Sequence, residues 1–509
     1  MVDDWIARPF GTIPELIGLH AARAPRHAAL IQDDRALDYG GLDTLMDRVA
    51  AALQRDGLGP GAAIALCAAS SIEYAAVFLG ALRAGVAVAP LAPSATPETI
   101  AAMAADAEAT HLFLDDAAAK ALAPAAGRLA ARRVALTALD AWLATAKTPR
   151  PIEATPEAPF NIIYSSGTTG TPKGIVQPNA MRWAHVVRSA VYGYGPEAIT
   201  LISTPLYSNT TLVSFLPTIA LGGSVVLMAK FDARRYLEIA QRRRVTHTML
   251  VPVQYQRIMA LPDFDGFDLS AFRTKFSTSA PFSAALKADV VARWPGALNE
   301  YYGMTEGGGT CVLFAHEHPD KLHTVGRPAP GTDIRLIDAE GREVAPGAIG
   351  EVVGHSGAMM TGYHKRPDMT AAAEWQDASG KRFIRTGDVG RFDEDGFLVL
   401  LDRRKDLIIS GGFNVYPSDL EAVLAGHPGV AEVAVVGVPS AQWGETPVAF
   451  VVARADAGLE AETLRTWANA RLGATQRIRA VEIVASLPRS AIGKVLKREL
   501  RDGFAERSP

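Results

Sequence analysis

The sequence predicts an α/β protein with a large N-terminal domain of doubly wound, mostly parallel sheets, a small antiparallel barrel-like unit, and a small α+β C-terminal domain. Three observations predict this order. Apolar strand-like runs alternate with helical stretches up to about residue 330, short hairpin patterns follow, and the alternation returns over 415–509. Such alternation is typical of parallel sheets covered by helices.

The N-terminal part supplies most of the strands. The predicted strands are AAIALCAA, VAVAP, THLFL, NIIYSS, LISTPL, SVVLM and THTMLVP, and segments such as DARRYLEIAQRRR carry apolar positions at helical spacing. The longest apolar stretch, 74–92, is interrupted by Arg83 and by glycine and proline. It therefore predicts a buried helix over 74–84 and a buried strand over 86–90, and no membrane span.

The sequence pattern changes after residue 330. Asp-Ala-Glu-Gly and Asp-Glu-Asp-Gly turns separate short alternating strands, which indicates hairpins. A charged stretch, 402–406, precedes about 100 residues, enough for a separate core. We therefore expect two domains, 1–401 and 402–509.

Composition narrows the class of protein. The 509 residues carry a net charge of −3, so no basic excess favours a nucleic-acid partner. Two cysteines, Cys67 and Cys311, are too few for a disulfide framework. The N-terminal segment has no apolar core of a signal peptide. We expect a cytoplasmic protein.

The segment YSSGTTGTPKGI, residues 164–175, follows a short apolar strand and is rich in glycine and hydroxyl side chains. Such a loop can bring backbone N–H groups and one lysine to phosphate oxygens. It does not fit the P-loop pattern, because Pro172 stands at the sixth position from Gly167 and Gly174 follows Lys173. Phosphate binding is favoured over a solvated linker.

Four further motifs follow this loop. They are YYGMTEGG (301–308), RTGDVGRFDEDGF (385–397), DRRKDLIISGGFNVYPSDLE (402–421) and LPRSAIGKVLKREL (487–500). In this order the five motifs resemble the adenylate-forming superfamily, which contains acyl-CoA synthetases, firefly luciferase and the adenylation domains of peptide synthetases. The resemblance covers nearly the whole chain, and stand-alone AMP-forming acyl-CoA ligases are the most similar members.

The resemblance implies ATP-dependent activation of a small carboxylic acid. Attack of the carboxylate on the α-phosphorus gives an acyl-adenylate and releases pyrophosphate, and the thiol of CoA then displaces AMP. Because two anions meet in the first step, cations and hydrogen-bond donors should dominate the site. ATP, Mg²⁺ and CoA are the implied cofactors and co-substrate. The oligomeric state stays open, with a homodimer among the candidates.

The matched motifs imply a role for each nucleotide-binding residue. Tyr302 lies against the adenine, Thr305 on the phosphate, and Glu306 on Mg²⁺, a cation that prefers carboxylate and phosphate oxygens. Asp388 takes the ribose hydroxyls with Arg403 nearby. The residues implied to cradle the β- and γ-phosphates are Ser165, Ser166, Gly167, Thr168, Thr169, Gly170 and Lys173.

The implied mechanism requires movement of the C-terminal domain. In the resembling family this domain is mobile and swings about a hinge, here Asp402. One arrangement presents the catalytic Lys494, whose ammonium offsets the developing charge, an effect of about 3 kcal/mol or more for one placed donor. The other places Gly411 and Gly412 along the pantetheine tunnel, where glycine permits close approach of a thin chain.

The acyl pocket departs from the family pattern. PLYSNTTL carries a serine where many CoA ligases have a histidine, and STSAPF carries a serine where glycine is usual. The glycines after the Thr-Glu pair either leave room for a long acyl tail, which favours a fatty acid over an aryl acid, or only form a turn. The pocket candidates are Tyr207, Ser208, Ser279, Gly307 and Gly308.

Other functions share these motifs. An aryl-acid CoA ligase, an enzyme that loads a carrier protein, and a non-catalytic nucleotide-binding regulator all stay open. Luciferase-like oxygenation also shares the motifs. A peptide-synthetase adenylation domain is disfavoured, because no aspartate near PLYSNTT could pair with a substrate amine. Retention of Lys494, Glu306 and Asp388 argues against a regulator.

Overall fold

The structure is a computed structural model that describes residues 2–143, 148–165, 173–403, 406–410, 413–440, 443–455, 457–473, 476–490 and 493–507. Its first layer is a nine-stranded sheet with six parallel strands at its centre and antiparallel strands at both edges. In sheet order the strands are Arg327–Pro328, Cys311–Phe314, Ala297–Tyr302, Thr274–Ser277, His247–Leu250, Ile199–Ile202, Ser224–Leu227, Ala28–Gln32 and Arg35–Asp38.

A second sheet of seven strands carries the predicted phosphate loop at one end of a hairpin. Five of its strands are parallel, and the two at one edge are antiparallel. In sheet order they are Gly362–Tyr363, Lys173–Pro178, Pro159–Ser165, Ala87–Pro90, Ala63–Cys67, Ala109–Leu114 and Arg132–Ala135. The predicted mostly parallel α/β class is thereby confirmed.

One buried apolar cluster contains side chains of both sheets. Leu30 and Val225 come from the nine-stranded sheet, and Ile64 and Val88 come from the seven-stranded sheet. The helices of the larger part of the chain are Val2–Ile6, Ile13–Arg23, Tyr39–Arg55, Ile72–Arg83, Pro97–Asp106, Asp116–Ala121, Leu139–Leu143, Asn179–Ser189, Asn209–Ala220, Ala233–Arg243, Pro252–Met259, Ala284–Arg293 and Pro367–Ala372.

The helix Ile72–Arg83 shows why the longest apolar stretch is a core element. Ser71 Oγ caps it by accepting a hydrogen bond from the Tyr74 N–H (3.1 Å). A Cβ at Gly80 would lie 2.5 Å from Val49 Cβ, so glycine permits the close approach of the helix Tyr39–Arg55. Arg83, at the helix end, pairs with two aspartates of that neighbouring helix. Its charge is therefore satisfied within the fold.

The third sheet contains antiparallel pairs, in which Arg382–Phe392 pairs with Glu374–Gln376 and with Leu398–Arg403 across the predicted Asp-Glu-Asp-Gly turn. Its strands are Thr332–Ile337, Gly350–Ser356, Glu374–Gln376, Arg382–Phe392 and Leu398–Arg403. The fourth sheet contains Phe413–Val415, Ile408–Ser410, Gly444–Ala453, Val430–Ser440 and Ala480–Ile483, and the C-terminal helices are Pro417–Ala425, Ala461–Asn469 and Lys497–Arg507. This α+β composition agrees with the prediction for the C-terminal part.

Contacts divide the chain into two compact units. The first comprises Met1–Asp333 and Gly354–Ile384, and the second comprises Ile334–Val353 and Arg385–Pro509. The antiparallel strands before residue 402 thus fall mostly with the C-terminal unit, because Arg382–Phe392 pairs with Leu398–Arg403. A hinge at Asp402 stays a prediction. Within the described ranges, no helix combines the length and hydropathy that a bilayer crossing needs.

Candidate active site

The strands on either side of the predicted phosphate loop form a hairpin. Tyr164 pairs with Gly174 and Ser165 with Lys173 in antiparallel register. The side chain of Ser165 is outside the described part of the structure. The loop residues Ser166, Gly167, Thr168, Thr169 and Gly170 also lie outside the described residues. Of the predicted phosphate contacts, the structure therefore describes the side chain of Lys173.

Tyr363 connects Lys173 with Glu306. Its hydroxyl donates to Glu306 Oε1 (2.9 Å), and the Lys173 ammonium lies 5.8 Å from the centre of its ring. Burial and then the Glu306 carboxylate raise the pKa of Tyr363, so the hydroxyl keeps its proton at neutral pH. The short strand Gly362–Tyr363 pairs with the strand that begins at Lys173. A cation and a carboxylate 133 positions apart in the sequence are thus neighbours of one tyrosine.

A backbone hydrogen bond and two glycines in a turn fix the Thr305–Glu306 segment. The Glu306 carbonyl accepts from the Met360 N–H (2.8 Å). Gly307 and Gly308 follow with φ of 77° and 90°. A Cβ at Gly307 would lie 2.1 Å from the Ala358 carbonyl oxygen. These glycines are therefore required by the turn, and the argument that they open a deep acyl pocket loses its basis.

A buried polar network also supports the Thr305–Glu306 segment. Arg182 is 1% exposed and donates to Asn161 Oδ1 (3.3 Å), Asn209 Oδ1 (2.9 Å) and Gln177 Oε1. Gln177 Nε2 in turn donates to the Thr305 carbonyl (2.6 Å). Burial lowers the pKa of Arg182 to about 9, which leaves the guanidinium charged at neutral pH. Among the described residues, three amide oxygens and no carboxylate accept its hydrogen bonds.

Three of the predicted acyl-pocket residues, Tyr207, Ser208 and Ser279, have different neighbours. Thr210 Oγ1 and Ser279 Oγ are 2.5 Å apart, and Ser279 has a φ of 80°, a conformation that is strained for a side chain other than glycine. Ser208 is buried directly before the helix Asn209–Ala220. Tyr207 instead hydrogen-bonds with Ser94. Thr210 is therefore a neighbour of Ser279 that the sequence did not single out.

The remaining adenine and ribose candidates lie on paired strands. Tyr302 is the last residue of Ala297–Tyr302 in the first unit. In the second unit the backbones of Asp388 and Arg403 face each other across an antiparallel pair, as do Val389 and Asp402. The Asp388 N–H donates to Thr386 Oγ1 (3.0 Å). The side chains of Arg403 and the hinge candidate Asp402 are outside the described part.

Lys494 follows a tight turn in the second unit. Gly493 has a φ of 77°, and the Lys494 N–H and carbonyl both bond with Ser490 (3.2 and 2.8 Å). Arg489 donates to the Gly493 carbonyl (2.7 Å) and pairs with Glu432 (2.5 Å). These contacts fix the backbone on which the lysine stands. The predicted tunnel residues Gly411 and Gly412 lie outside the described residues.

Sequence reasoning missed Tyr363, Arg182, Gln177 and Arg489. Two of them left a signal, because Gln177 and Arg182 are strongly polar residues at positions that the strand and helix patterns reserve for the core. Tyr363 left none, because its role depends on which short strand pairs beside Lys173.

Comparison with known proteins identifies the family. The family model for AMP-binding enzymes matches residues 19–364, and the model for the AMP-binding enzyme C-terminal domain matches residues 419–494. The chain therefore belongs to the AMP-binding enzymes, the adenylate-forming superfamily. It is an enzyme of an AMP-forming ligase family.

Individual relatives cover nearly the full chain. A fatty acid–[acyl-carrier-protein] ligase, ScoC of Streptomyces coeruleorubidus, is 33% identical over 97% of this chain and 96% of its own length. A feruloyl-CoA synthase of Amycolatopsis sp is 33% identical over 95% of this chain and 97% of its own length. The crystal structure of ATP-bound MatB from Rhodopseudomonas palustris has a TM-score of 0.89 at 28% identity, covering 98% of this chain and 100% of that chain.

Proposed function

We propose that the protein is an AMP-forming carboxylic acid:CoA ligase. In the first step a carboxylate oxygen bonds to the α-phosphorus of ATP while the bond from that phosphorus to the bridging oxygen breaks, and pyrophosphate leaves. In the second step the CoA sulfur bonds to the acyl carbon, AMP leaves, and the thiol proton passes to solvent. The observation that carries the proposal is that Tyr363 contacts both Glu306 and Lys173, and Lys173 begins the second strand of the phosphate hairpin.

Mg²⁺ fits the Glu306 carboxylate. A hard cation of this size is commonly held by one or two carboxylates together with substrate phosphates. Glu306 supplies one such carboxylate, and the Tyr363 hydroxyl orients it (2.9 Å). When bound, Mg²⁺ would neutralise phosphate charge. In the same proposal Thr305 and the hairpin loop bind phosphate, Tyr302 binds adenine, Asp388 and Arg403 bind ribose, and Lys494 offsets charge at the reacting centre.

The substrate is a fatty acid or an aryl acid. ScoC and the feruloyl-CoA synthase are equally similar to this chain at 33% identity, and they divide between these classes. The turn conformation of Gly307 and Gly308 removes the sequence argument for a long acyl tail. We take a medium- or long-chain fatty acid as the first substrate to test and an aryl acid as the second.

The acceptor distinguishes the second candidate function. The ScoC name specifies an acyl carrier protein, so this chain could pass its acyl group to a carrier thiol in place of CoA. The phosphopantetheine thiol of a carrier and the thiol of CoA have the same chemistry, so the first step would be unchanged.

Pyrophosphate release tests both candidates. It should be measured with a panel of fatty and aryl acids, with CoA, with a holo carrier protein, and with neither. Acid-dependent release, followed by AMP discharge on addition of CoA, is expected. Discharge by the carrier alone would favour carrier loading. Tight ATP binding without release for any acid would contradict a ligase and favour a regulator.

A further inference from the structure

Arg188 is a cation whose charge the described part of the protein leaves without a partner. It stands in the last turn of the helix Asn179–Ser189 and is partly exposed. Over the described residues, it makes no hydrogen bond and no ion pair. Burial lowers the pKa of Arg188, and the groups that oppose this effect are the hydroxyls of Tyr301 and Tyr192. A guanidinium that is partly removed from water and has no protein acceptor is stabilised when a ligand supplies one.

The surroundings of Arg188 are aromatic. Tyr301 stacks on Phe276 with 5.6 Å between ring centres and 9° between planes. Tyr192 stands edge-on to both rings, at 5.4 Å from Phe276 and 6.2 Å from Tyr301. The hydroxyls of Tyr192 and Tyr301 act on the charge of Arg188, so the guanidinium lies within electrostatic range of this apolar wall of Tyr192, Phe276 and Tyr301. Small-molecule sites commonly combine apolar walls with a few fixed polar groups.

This wall adjoins the acyl-pocket candidates. The Tyr301 carbonyl accepts from Thr278 Oγ1 (2.8 Å). The next residue, Ser279, contacts Thr210 (2.5 Å). Tyr301 also precedes Tyr302, the adenine candidate, on the same strand. The aromatic wall thus connects Arg188, on the helix that follows the phosphate hairpin, with the acyl-pocket candidate Ser279.

No described acid neutralises this helix face. His185, one turn before Arg188, is flanked by Arg182 and Arg188, and burial followed by these two charges lowers its pKa well below the usual value. Arg182 Nη1 lies 3.5 Å from His185 Nδ1. The amide oxygens that satisfy Arg182 are inside the network described above and do not extend to Arg188. The face is therefore electropositive.

We propose that Arg188 binds a hydrogen-bond-accepting group, anionic or neutral, at the end of the substrate acid remote from the reacting carboxylate. Guanidinium suits this role, because its planar fork binds carboxylate or phenolic oxygens through several N–H groups. The inference rests on the proposed function and narrows its substrate class. Either skeleton, aliphatic or aryl, is compatible, provided that it carries the remote acceptor.

Matched acids test the inference. Acid-dependent pyrophosphate release is measured for hexanoate against hexanedioate and for cinnamate against 4-hydroxycinnamate. In at least one pair the natural protein should prefer the acceptor-bearing acid by about tenfold in kcat/KM. Arg188→Met should reduce that ratio to about one by raising KM for the acceptor-bearing acid. Arg133→Met, which removes an exposed arginine in the same unit, should leave the ratio unchanged.

Several results would overturn the inference. One is the absence of a preference for the acceptor-bearing acid in both pairs. Another is an equal loss of kcat/KM for both members of a pair in Arg188→Met, because the arginine would then act on the reacting carboxylate or on stability. Should Arg188→Met fail to fold, Arg188→Lys replaces it: a reduced ratio supports the inference, and an unchanged ratio contradicts it.

A binding measurement separates failure of this inference from failure of the proposed function. Calorimetry with each acid pair and a non-hydrolysable ATP analogue measures the same preference without chemistry. Binding preference that depends on Arg188, without pyrophosphate release, would contradict the ligase and support the anchor. Pyrophosphate release without any Arg188-dependent preference would support the ligase and contradict the role of Arg188.

Discussion

At the scale of single residues, the site depends on charges that are oriented by neighbouring side chains. The Glu306 carboxylate is oriented by the Tyr363 hydroxyl at 2.9 Å, and the backbone of Lys494 is fixed by Ser490 and Arg489. A charge that is already oriented needs little reorganisation when the substrate reacts. Two predictions separate these roles.

Lys494→Ala should slow adenylation by about 10²-fold or more, because it removes an ammonium from the reacting centre. The discharge of separately prepared acyl-adenylate by CoA should change by less than about threefold, since the lysine has no role in that step. Single-turnover measurement of each half-reaction checks this. Lys120→Ala, at an exposed position, is the matched control. Equal losses in both half-reactions would contradict the assignment.

Tyr363→Phe should reduce adenylation by about tenfold and raise the Mg²⁺ concentration needed for half-maximal rate. The variant removes the hydrogen bond that orients Glu306 and leaves the ring beside Lys173. Tyr74→Phe is the control, because the Tyr74 hydroxyl is buried without a hydrogen-bond partner in the described structure. An unchanged Mg²⁺ requirement in Tyr363→Phe would exclude a role for Tyr363 in holding the metal.

At the scale of secondary-structure elements, polar side chains fix how strands and helices meet. Arg182 joins the helix Asn179–Ser189 to two strands of the seven-stranded sheet and to the helix Asn209–Ala220. Asp56, after the helix Tyr39–Arg55, accepts hydrogen bonds from three other elements. Arg182 is buried and Asp56 is partly buried, and both charges have partners from distant parts of the chain.

Arg182→Leu should lower the free energy of unfolding by about 2–4 kcal/mol, because it leaves buried amide oxygens without donors. Adding Gln177→Leu should recover part of this loss, since both polar partners are then replaced by apolar groups. Adenylation should stay slow in the double variant, because the Thr305 carbonyl has lost its donor. Denaturant unfolding and pyrophosphate release check the two effects. Recovery of both together would contradict a positioning role.

Asp56 predicts how stability depends on pH. Burial by itself would raise the pKa of Asp56, but hydrogen bonds from Arg55, Trp142 and His111 outweigh burial and lower it from 3.8 to about 2. Because the pKa of Asp56 is lower in the folded than in the unfolded protein, the ionised carboxylate stabilises the fold at a pH above the unfolded-state pKa. This contribution, about 2 kcal/mol, is lost as pH falls from about 4 to about 2.

Denaturant unfolding of Asp56→Asn against the natural protein checks this prediction. The difference in unfolding free energy between the two should shrink by about 2 kcal/mol over that pH range. Asp140→Asn, at a side chain that is 92% exposed, is the control and should show no such change. A pH-independent difference for Asp56→Asn would contradict the lowered pKa.

At the scale of the whole molecule, the motifs are divided between two compact units. The first contains Lys173, Tyr302 and the Thr305–Glu306 segment, and the second contains Asp388 and Lys494. The proposed ligase uses residues of both units, and Asp402 is the predicted hinge between the two arrangements that its half-reactions need. Asp402 pairs with Val389 beside an irregularity in strand register, a local feature that breaks the regular ladder.

Asp402→Pro should separate the two half-reactions, because proline restricts φ at the predicted hinge. One of them, adenylation or CoA discharge, should fall by at least about tenfold relative to the other. Rapid-quench measurement of each step checks this, with thermal unfolding as a control for damage to the strand. Equal changes in both steps would contradict a hinge at this position.

Much of the fold followed from the sequence. Alternating apolar runs and helical patterns predicted the mostly parallel sheets, and Asp-Gly and Glu-Gly turns predicted the antiparallel strands, because these signals are local. The position of the boundary between the two units could not be predicted from the sequence in the same way. Strand pairing assigns residues 334–353 and 385–403 to the second unit, and no local signal contains that pairing.

The sequence by itself determined the family, through five ordered motifs whose chemistry depends on residue type and spacing. Only the tertiary structure decided which residues support those motifs. Tyr363 lies against Glu306, Arg182 supports Thr305 through Gln177, and Tyr301 acts on the charge of Arg188. Each of these arrangements joins segments far apart in the chain. They arise because particular strands and helices become neighbours, which no local pattern specifies.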